Sequence, residues 1–240
     1  MNRNVEVVSF SHQALRGVGA VRVFQNVDPS TFENIATAGH DATARWVWGA
    51  ATATADWLCD RGMEWIQGKR VVEIGAGTGL LGLVAARLGA SSVTLTDLPT
   101  ELPLLRRNLA ANVTSHGAGE GACADRVEST NSSADGGGHC DVHVEACAWG
   151  DEQALAALGT FDVVLCSDVL YQNDENTQGA LARTMSRLSA PRSGRVLFSY
   201  HFRENIIADT PFFQAVEGLF GDPVQHTVAG GGKEGIWFFW

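Results

Sequence analysis

The amino-acid sequence predicts an open, twisted α/β sheet, mostly parallel, with an antiparallel hairpin strand at its C-terminal end. Three observations predict it. From Arg70 onward, short β-branched apolar runs alternate with segments of helical period, the pattern of parallel strands joined by covering helices. The glycine-rich turn Gly75-Ala76-Gly77-Thr78-Gly79 falls between the first of these strands and its helix. Two closing strands are joined through Gly230-Gly231-Gly232, a hairpin signal that makes one of them antiparallel.

Val5–Phe10 and Ala20–Phe24 are apolar, β-branched stretches separated by Gly17 and Gly19, and they predict an N-terminal β-hairpin. Asp41 is an N-cap candidate for a helix running to about Cys59. Arg70–Ile74 is then a strand, Thr78–Leu88 a helix ended by Gly89, Ser92–Thr96 a strand and Glu101–Asn112 a helix. Residues 115–140 break this rhythm. They are rich in Gly, Ser, Ala and Asp and nearly devoid of large apolar side chains, which predicts a flexible surface insertion. The alternation resumes with strand Val142–Cys147, helix Asp151–Leu158, strand Phe161–Ser167, helix Asn176–Leu188 and strand Arg195–Tyr200. Helix Pro211–Leu219 and strands Pro223–Val228 and Ile236–Phe239 complete it. A single domain over residues 1–240 is expected, with residues 1–60 as a hairpin-and-helix extension.

Composition narrows the function. Seventeen Lys and Arg against 27 Asp and Glu give a net charge of −10. That balance disfavours nucleic acid, whose phosphates are held mainly by basic side chains, and suits a small molecule or a basic protein partner. No apolar run reaches the length of about 20 residues that a bilayer needs, and Met1–Glu6 lacks an apolar signal core, so no membrane association or secretion is expected. The five cysteines, Cys59, Cys123, Cys140, Cys147 and Cys166, are odd in number and contain no CxxC pair. A reducing compartment, cytoplasmic or nuclear, follows. His139, Cys140, His143 and Cys147 can be drawn as a zinc site, but neither pair has finger-like spacing and strand alternation accounts for them; no metal is expected.

The glycine turn suits two kinds of ligand. Gly77-Thr78-Gly79-Leu80-Leu81-Gly82 matches the dinucleotide GxGxxG, but Gly75 already occupies the place directly after the strand. An acidic residue followed by GxGxG fits without forcing, with Glu73 inside the strand and Gly75, Gly77 and Gly79 along the turn. Such a loop approaches the amino-acid and ribose portions of S-adenosylmethionine, and Asp97, closing the next strand, is placed to accept ribose hydroxyls.

Four stretches in order then carry a resemblance: Trp46-Val47-Trp48-Gly49-Ala50, the glycine loop with Thr94-Leu95-Thr96-Asp97, Ala148-Trp149-Gly150, and Ser167-Asp168-Val169-Leu170-Tyr171. With them the chain resembles the class I, seven-strand S-adenosylmethionine-dependent methyltransferases, which have a three-layer Rossmann-like sheet. More narrowly, it resembles the methyltransferase-like protein-lysine methyltransferases marked by DxxY, a group acting on chaperones, elongation factors and calmodulin. The resemblance implies that Trp48 covers the cofactor and that Gly75, Ala76 and Gly77 contact its methionine end, with Glu73 among the cofactor-binding residues. It also implies that Asp97 holds the ribose, Trp149 packs near the adenine and Ser167 lies beside the cofactor. Asp168 and Tyr171 are the implied catalytic pair. The insertion at 115–140 is longer than this family usually carries.

Each residue also admits a structural role: Trp48 as core of an apolar helix, Trp149 as a turn anchor, Asp168 as a helix cap, Tyr171 as packing. A lysine acceptor needs its free amine, and its ordinary pKa of about 10.4 leaves little of it at neutral pH. Burial beside a sulfonium lowers that pKa, whereas the charge of Asp168 raises it, so Asp168 is a docking and aligning group rather than a strong base. Tyr200, His201, Phe202 and Arg203 are expected to form another part of the rim. Val169 and Leu170 stand where amine-directed nucleic-acid methyltransferases carry a proline pair. The reading is a monomeric, cytoplasmic or nuclear protein-lysine N-methyltransferase with a protein substrate. The alternatives are a small-molecule amine N-methyltransferase and an NAD-dependent oxidoreductase.

Overall fold

The strands β3 (Arg70–Ile74), β4 (Ser92–Asp97), β6 (His139–Ala146), β7 (Val163–Ser167) and β8 (Arg195–His201) pair in parallel at the centre of a sheet that has eight strands among the described residues. The computed structural model describes residues 5–26, 44–112, 126–130, 139–171, 173–201, 206–220, 224–227 and 234–239. With β5 (Arg126–Thr130), β9 (Val224–Thr227) and β10 (Glu234–Phe239), the spatial order is β5-β6-β4-β3-β7-β8-β10-β9. β10 runs antiparallel to both β8 and β9, the expected C-terminal hairpin. The order reverses at β3, with β4 on one side and β7 on the other, which opens the crevice where open α/β sheets bind ligands.

Seven of these strands were expected from the sequence; β5 is the eighth. It lies inside the segment expected to be a flexible insertion and pairs antiparallel with β6, Arg126 opposite His143 and Thr130 opposite His139. Without it, β6 would present an unpaired row of backbone groups at the sheet edge. Arg126-Val127-Glu128-Ser129-Thr130 carries one large apolar side chain, too little to signal a strand by periodicity.

Strand alternation divides the interior into two cores. Val71, Val163, Leu165 and Leu197 face one side of the sheet, packing with α1 (Gly49–Arg61), α3 (Leu80–Arg87) and α4 (Leu102–Asn112). Val72, Ile74, Val164, Cys166, Val196 and Phe198 face the other, against α5 (Glu152–Leu158), α6 (Glu175–Leu188) and α7 (Thr210–Leu219). Cys140 belongs to the first core and Cys147 to the second.

A separate antiparallel pair, β1 (Val5–Phe10) and β2 (Val21–Asn26), packs Phe10, Val21 and Val23 into the first core. α4 supplies the backbone partners of β2 from side chains. Asn108 accepts from Phe24 N at 2.7 Å and donates to Phe24 O at 3.1 Å, and its amide also donates to Thr78 O at 2.9 Å. Asn112, one turn on, accepts from Arg22 N at 2.9 Å and donates to Arg22 O. Two asparagines at i and i+4 thus act as a surrogate strand. Asn108→Ala leaves three backbone groups without these partners, and at about 1 kcal/mol for each bond the expected loss is roughly 2–3 kcal/mol in urea unfolding.

The expected helix from Asp41 begins later. Asp41 lies outside the described residues, but the helix α1 starts at Gly49, with Trp48 extended (φ −79°, ψ 152°) as its N-cap. Residues 46–48, within the span expected to be helical, stay outside the helix, in a stretch where Arg45 pairs with Glu101 and Val47 N donates to Gln25.

Candidate active site

A cavity of about 500 Å³ lies at the carboxyl ends of β3, β4, β6 and β7. Trp48, Glu73, Gly75, Ala76, Gly77, Asp97, Trp149, Ser167, Asp168 and Tyr171, scattered over more than 120 positions of sequence, all line it.

The β3–α3 turn forms the floor. Gly75 has φ +61°, and a Cβ there would come within 2.9 Å of Val169 Cγ1 and 3.4 Å of the Trp149 ring. Gly77 has φ +53°, and a Cβ there would sit 2.6 Å from the carbonyl oxygen of Ala44. Both the backbone and the space reject a side chain. Gly77→Ala meets a left-handed penalty of about 1–2 kcal/mol before the collision is counted. The expected result is a lower melting temperature and loss of any thermal shift produced by S-adenosylhomocysteine.

Asp97 ties this turn to β4. Its Oδ2 accepts from Gly77 N and its Oδ1 from Leu98 N, both at 2.7 Å. Glu73 points under the turn, where its Oε2 accepts from Gly82 N at 2.8 Å. Burial, and then the negative charge of Asp97, push Glu73 up to about 8, against the pull of the Gly82 and Leu81 amides. A folded pKa raised in this way binds a proton more tightly in the native state. Its contribution is complete below the ordinary carboxyl value near 4.5 and is lost as pH rises through about 8. Glu73→Gln should therefore gain melting temperature relative to the native protein as pH goes from 5 to 9. A constant difference across that range would refute the protonated carboxyl.

The opposite wall comes from the β7 exit. Asp168 is 8% exposed and left-handed at φ 52°, a conformation Asp tolerates better than most residues. Its N donates to Ser199 O at 2.8 Å and its Oδ1 accepts from His201 N at 3.3 Å, so β8 fixes both backbone and carboxylate. Asp168 is not the cap of the following helix; Asp174 is, accepting from Thr177 N at 2.7 Å. Ser167 accepts from Ser199 Oγ at 2.9 Å. Tyr171 N donates to Asn173 Oδ1 at 2.6 Å, and the Tyr171 ring lies 6.0 Å from that of Trp48, tilted by 36°. Trp48 is thus half-buried at the cavity rather than in the core.

Tyr200 departs from the expected rim. It is fully buried among Phe198, Phe212 and Phe213, and its hydroxyl donates to Asp209. The alternation of β8 turns it into the second core, on the face away from Leu197. His201 remains half-exposed at the strand end, and Phe202 and Arg203 lie outside the described residues.

The cavity also holds residues that sequence reasoning missed. Glu101 is 2% exposed and pairs with Arg45, Nε to Oε2 at 3.1 Å and Nη2 to Oε1 at 3.2 Å. Asn173, Asn176 and Thr177 line the β7 side. Cys147 lines it too, but burial, with the Asp151 charge, pushes its thiol up to about 11, leaving it neutral. Glu101 opens a predicted helix and sits four residues after Asp97; nothing in its spacing distinguishes it from an ordinary first-turn acid.

Residues 33–127 and 123–219 match the family model described as lysine methyltransferase. The chain belongs to the lysine methyltransferase family. Within that family, it is 35% identical over 144 residues to the Protein N-lysine methyltransferase METTL21A of Danio rerio, covering 60% of this chain and 55% of that protein. It is 29% identical over 210 residues to the Protein N-terminal and lysine N-methyltransferase EFM7 of Yarrowia lipolytica, covering 81% of this chain and 70% of the relative. The matches thus span little more than half of the first relative's length and 70% of the second's. The fold is also that of the T. thermophilus 16S rRNA N2 G1207 methyltransferase, a structure in complex with AdoMet and guanosine. The TM-score there is 0.61 at 18% identity, over 98% of this chain and 50% of that one.

Proposed function

We propose that this chain is an S-adenosylmethionine-dependent protein-lysine N-methyltransferase. The observation that carries the reading is the convergence of Asp168 and Tyr171 on one cavity with the glycine turn and Asp97, in a member of the lysine methyltransferase family.

The residues fit the cofactor. The turn presents a bare backbone at Gly75 and Gly77, Asp97 adds a buried carboxylate, and Trp48 and Trp149 supply aromatic faces. When bound, S-adenosylmethionine supplies an electrophilic methyl group. Gly75, Ala76 and Gly77 hold its methionine end, Asp97 its ribose hydroxyls and Trp149 its adenine, with Ser167 alongside and Glu73 bracing the turn from below. Trp48 covers the cofactor, Tyr171 offers its ring to the aliphatic stem of the acceptor lysine, and together they keep water away. Asp168 receives the cationic amine and aligns it, and positioning rather than proton abstraction is its contribution.

The acceptor is a protein, and neither nucleic acid nor membrane is a partner. The enzyme acts as a monomer in the cytoplasm or nucleus; the unbridged, buried thiols of Cys59, Cys140, Cys147 and Cys166 support a reducing compartment. The test is a calorimetric titration with S-adenosylmethionine and, in parallel, NAD. It is followed by transfer of labelled methyl from the cofactor to extract proteins and identification of the modified amino acid after hydrolysis. Saturable binding of S-adenosylmethionine alone and recovery of methyl-lysine are expected. Binding of NAD alone overturns the reading, and label recovered only in small molecules turns it toward an amine methyltransferase.

A further inference from the structure

The segment Ala44–Trp48 lies along the cavity with alternating residues turned toward it: Ala44, Trp46 and Trp48 line the wall. The intervening residues fasten it. Arg45 grips Glu101 through two bonds, and Val47 N donates to Gln25 Oε1 at 3.0 Å. The carbonyl of Ala44 rests over Gly77, where no Cβ fits. This strap is therefore tied to α4, to β2 and to the glycine turn.

Gln25 is the fastener that does not itself line the cavity. It is buried on β2, and its Nε2 donates to Glu6 Oε2 at 3.1 Å, across the β1–β2 pair in which Glu6 and Gln25 are register partners. The hairpin is in turn held by Asn108, whose amide also reaches Thr78 O in the glycine turn. The hairpin thus meets the floor of the cavity through Asn108 and its aromatic wall through Gln25. Substrate-positioning groups need such support from buried, hydrogen-bonded neighbours to hold their geometry.

We propose that Gln25 is a positioning residue whose side-chain oxygen holds the Ala44–Trp48 strap so that Trp46 and Trp48 close over the bound cofactor, setting how long it stays. The inference rests on the cofactor reading above, and its effect belongs in the dissociation rate. A wall that closes over a ligand governs escape more than encounter.

The probe is S-adenosylhomocysteine, with association and dissociation followed by stopped-flow tryptophan fluorescence. Gln25→Met keeps the length and burial of the side chain but removes the acceptor of Val47 N. It also removes the donor to Glu6, but only the bond from Val47 N reaches the strap, and its loss predicts dissociation faster by about 3- to 10-fold, with association nearly unchanged. The double variant Q25E/E6Q reverses the polarity of the 6–25 bond while keeping an oxygen for Val47 N, and should return dissociation to within about twofold of native. Asn112→Ala loosens the same hairpin at Arg22, away from the strap. It should lower the melting temperature without accelerating dissociation. Dissociation from Q25M within about twofold of native overturns the inference, as does equal acceleration in N112A, which means a loosened fold. A native protein that binds no S-adenosylhomocysteine overturns the cofactor reading itself, a result distinct from native binding with an indifferent Q25M.

Discussion

Asp97→Ala is expected to weaken S-adenosylhomocysteine binding by roughly 30- to 100-fold, read by calorimetric titration, and to lower stability as well. The carboxylate has two tasks. Oδ2 holds Gly77 N at 2.7 Å and so fixes the glycine turn there, while in the proposed site the remaining lone pairs would serve the ribose hydroxyls of the cofactor. Hydrogen bonds to a charged group contribute about 1.5–3 kcal/mol, and an amide left buried without a partner costs a further 1–3 kcal/mol. Asp97→Asn is a milder change that touches both tasks. A single carbonyl oxygen serves one of the two amides, Gly77 or Leu98, and the negative charge is gone. A second readout follows from Glu73, because the Asp97 charge is one of the causes that raise its pKa. In either variant the window in which Glu73 weakens the fold should move to lower pH. Unchanged cofactor affinity in Asp97→Ala would remove Asp97 from the site.

Much of this was legible in the sequence because the chemistry is local there. The glycine turn, Asp97 and the β7 exit at Asp168 each lie within a few residues of a strand end, and a strand with clear apolar character fixes where its end falls. The parallel sheet places strand ends together, so the separate motifs meet at the cavity. What escaped was long-range. Arg45–Glu101 and Gln25–Val47 join residues 56 and 22 positions apart, and neither pair leaves a periodic trace. The same bonds lie at the misplaced helix start: residues 46–48 fall within a span whose apolar positions recur at helical spacing, but Arg45 is bound to Glu101 and Val47 N to Gln25, and α1 begins only at Gly49. Tyr200 shows a different limit. A tyrosine near a strand end suits rim and core alike, and Asp209, which decides for the core by accepting its hydroxyl, belongs to a later element. β5 was hidden by composition, since its five residues hold one large apolar side chain and its pairing with β6 is made by the backbone.

Asp168→Asn is expected to lower methyl transfer by about 100-fold or more at saturating cofactor, with S-adenosylhomocysteine affinity within about threefold of native. Asparagine is the informative replacement because of the backbone. Asp168 sits at φ 52°, where Asn is also tolerated, and an amide oxygen still accepts from His201 N. The variant therefore loses the charge while keeping the turn. Asp168→Ala loses both, with an added left-handed cost of about 1–2 kcal/mol, so it should be equally slow but melt at a lower temperature. The pH profile distinguishes docking from proton abstraction. A carboxylate beside the acceptor stabilises the ammonium form and raises its pKa. Without that charge the bound lysine loses its proton more readily, so what activity survives in Asp168→Asn should rise with pH at lower values than in the native enzyme, and the acceptor KM should increase. A rise displaced to higher pH would instead mean that Asp168 takes the proton. Near-native transfer would mean that the residue serves only the left-handed turn after β7, and that the amine is aligned by Tyr171 and its neighbours.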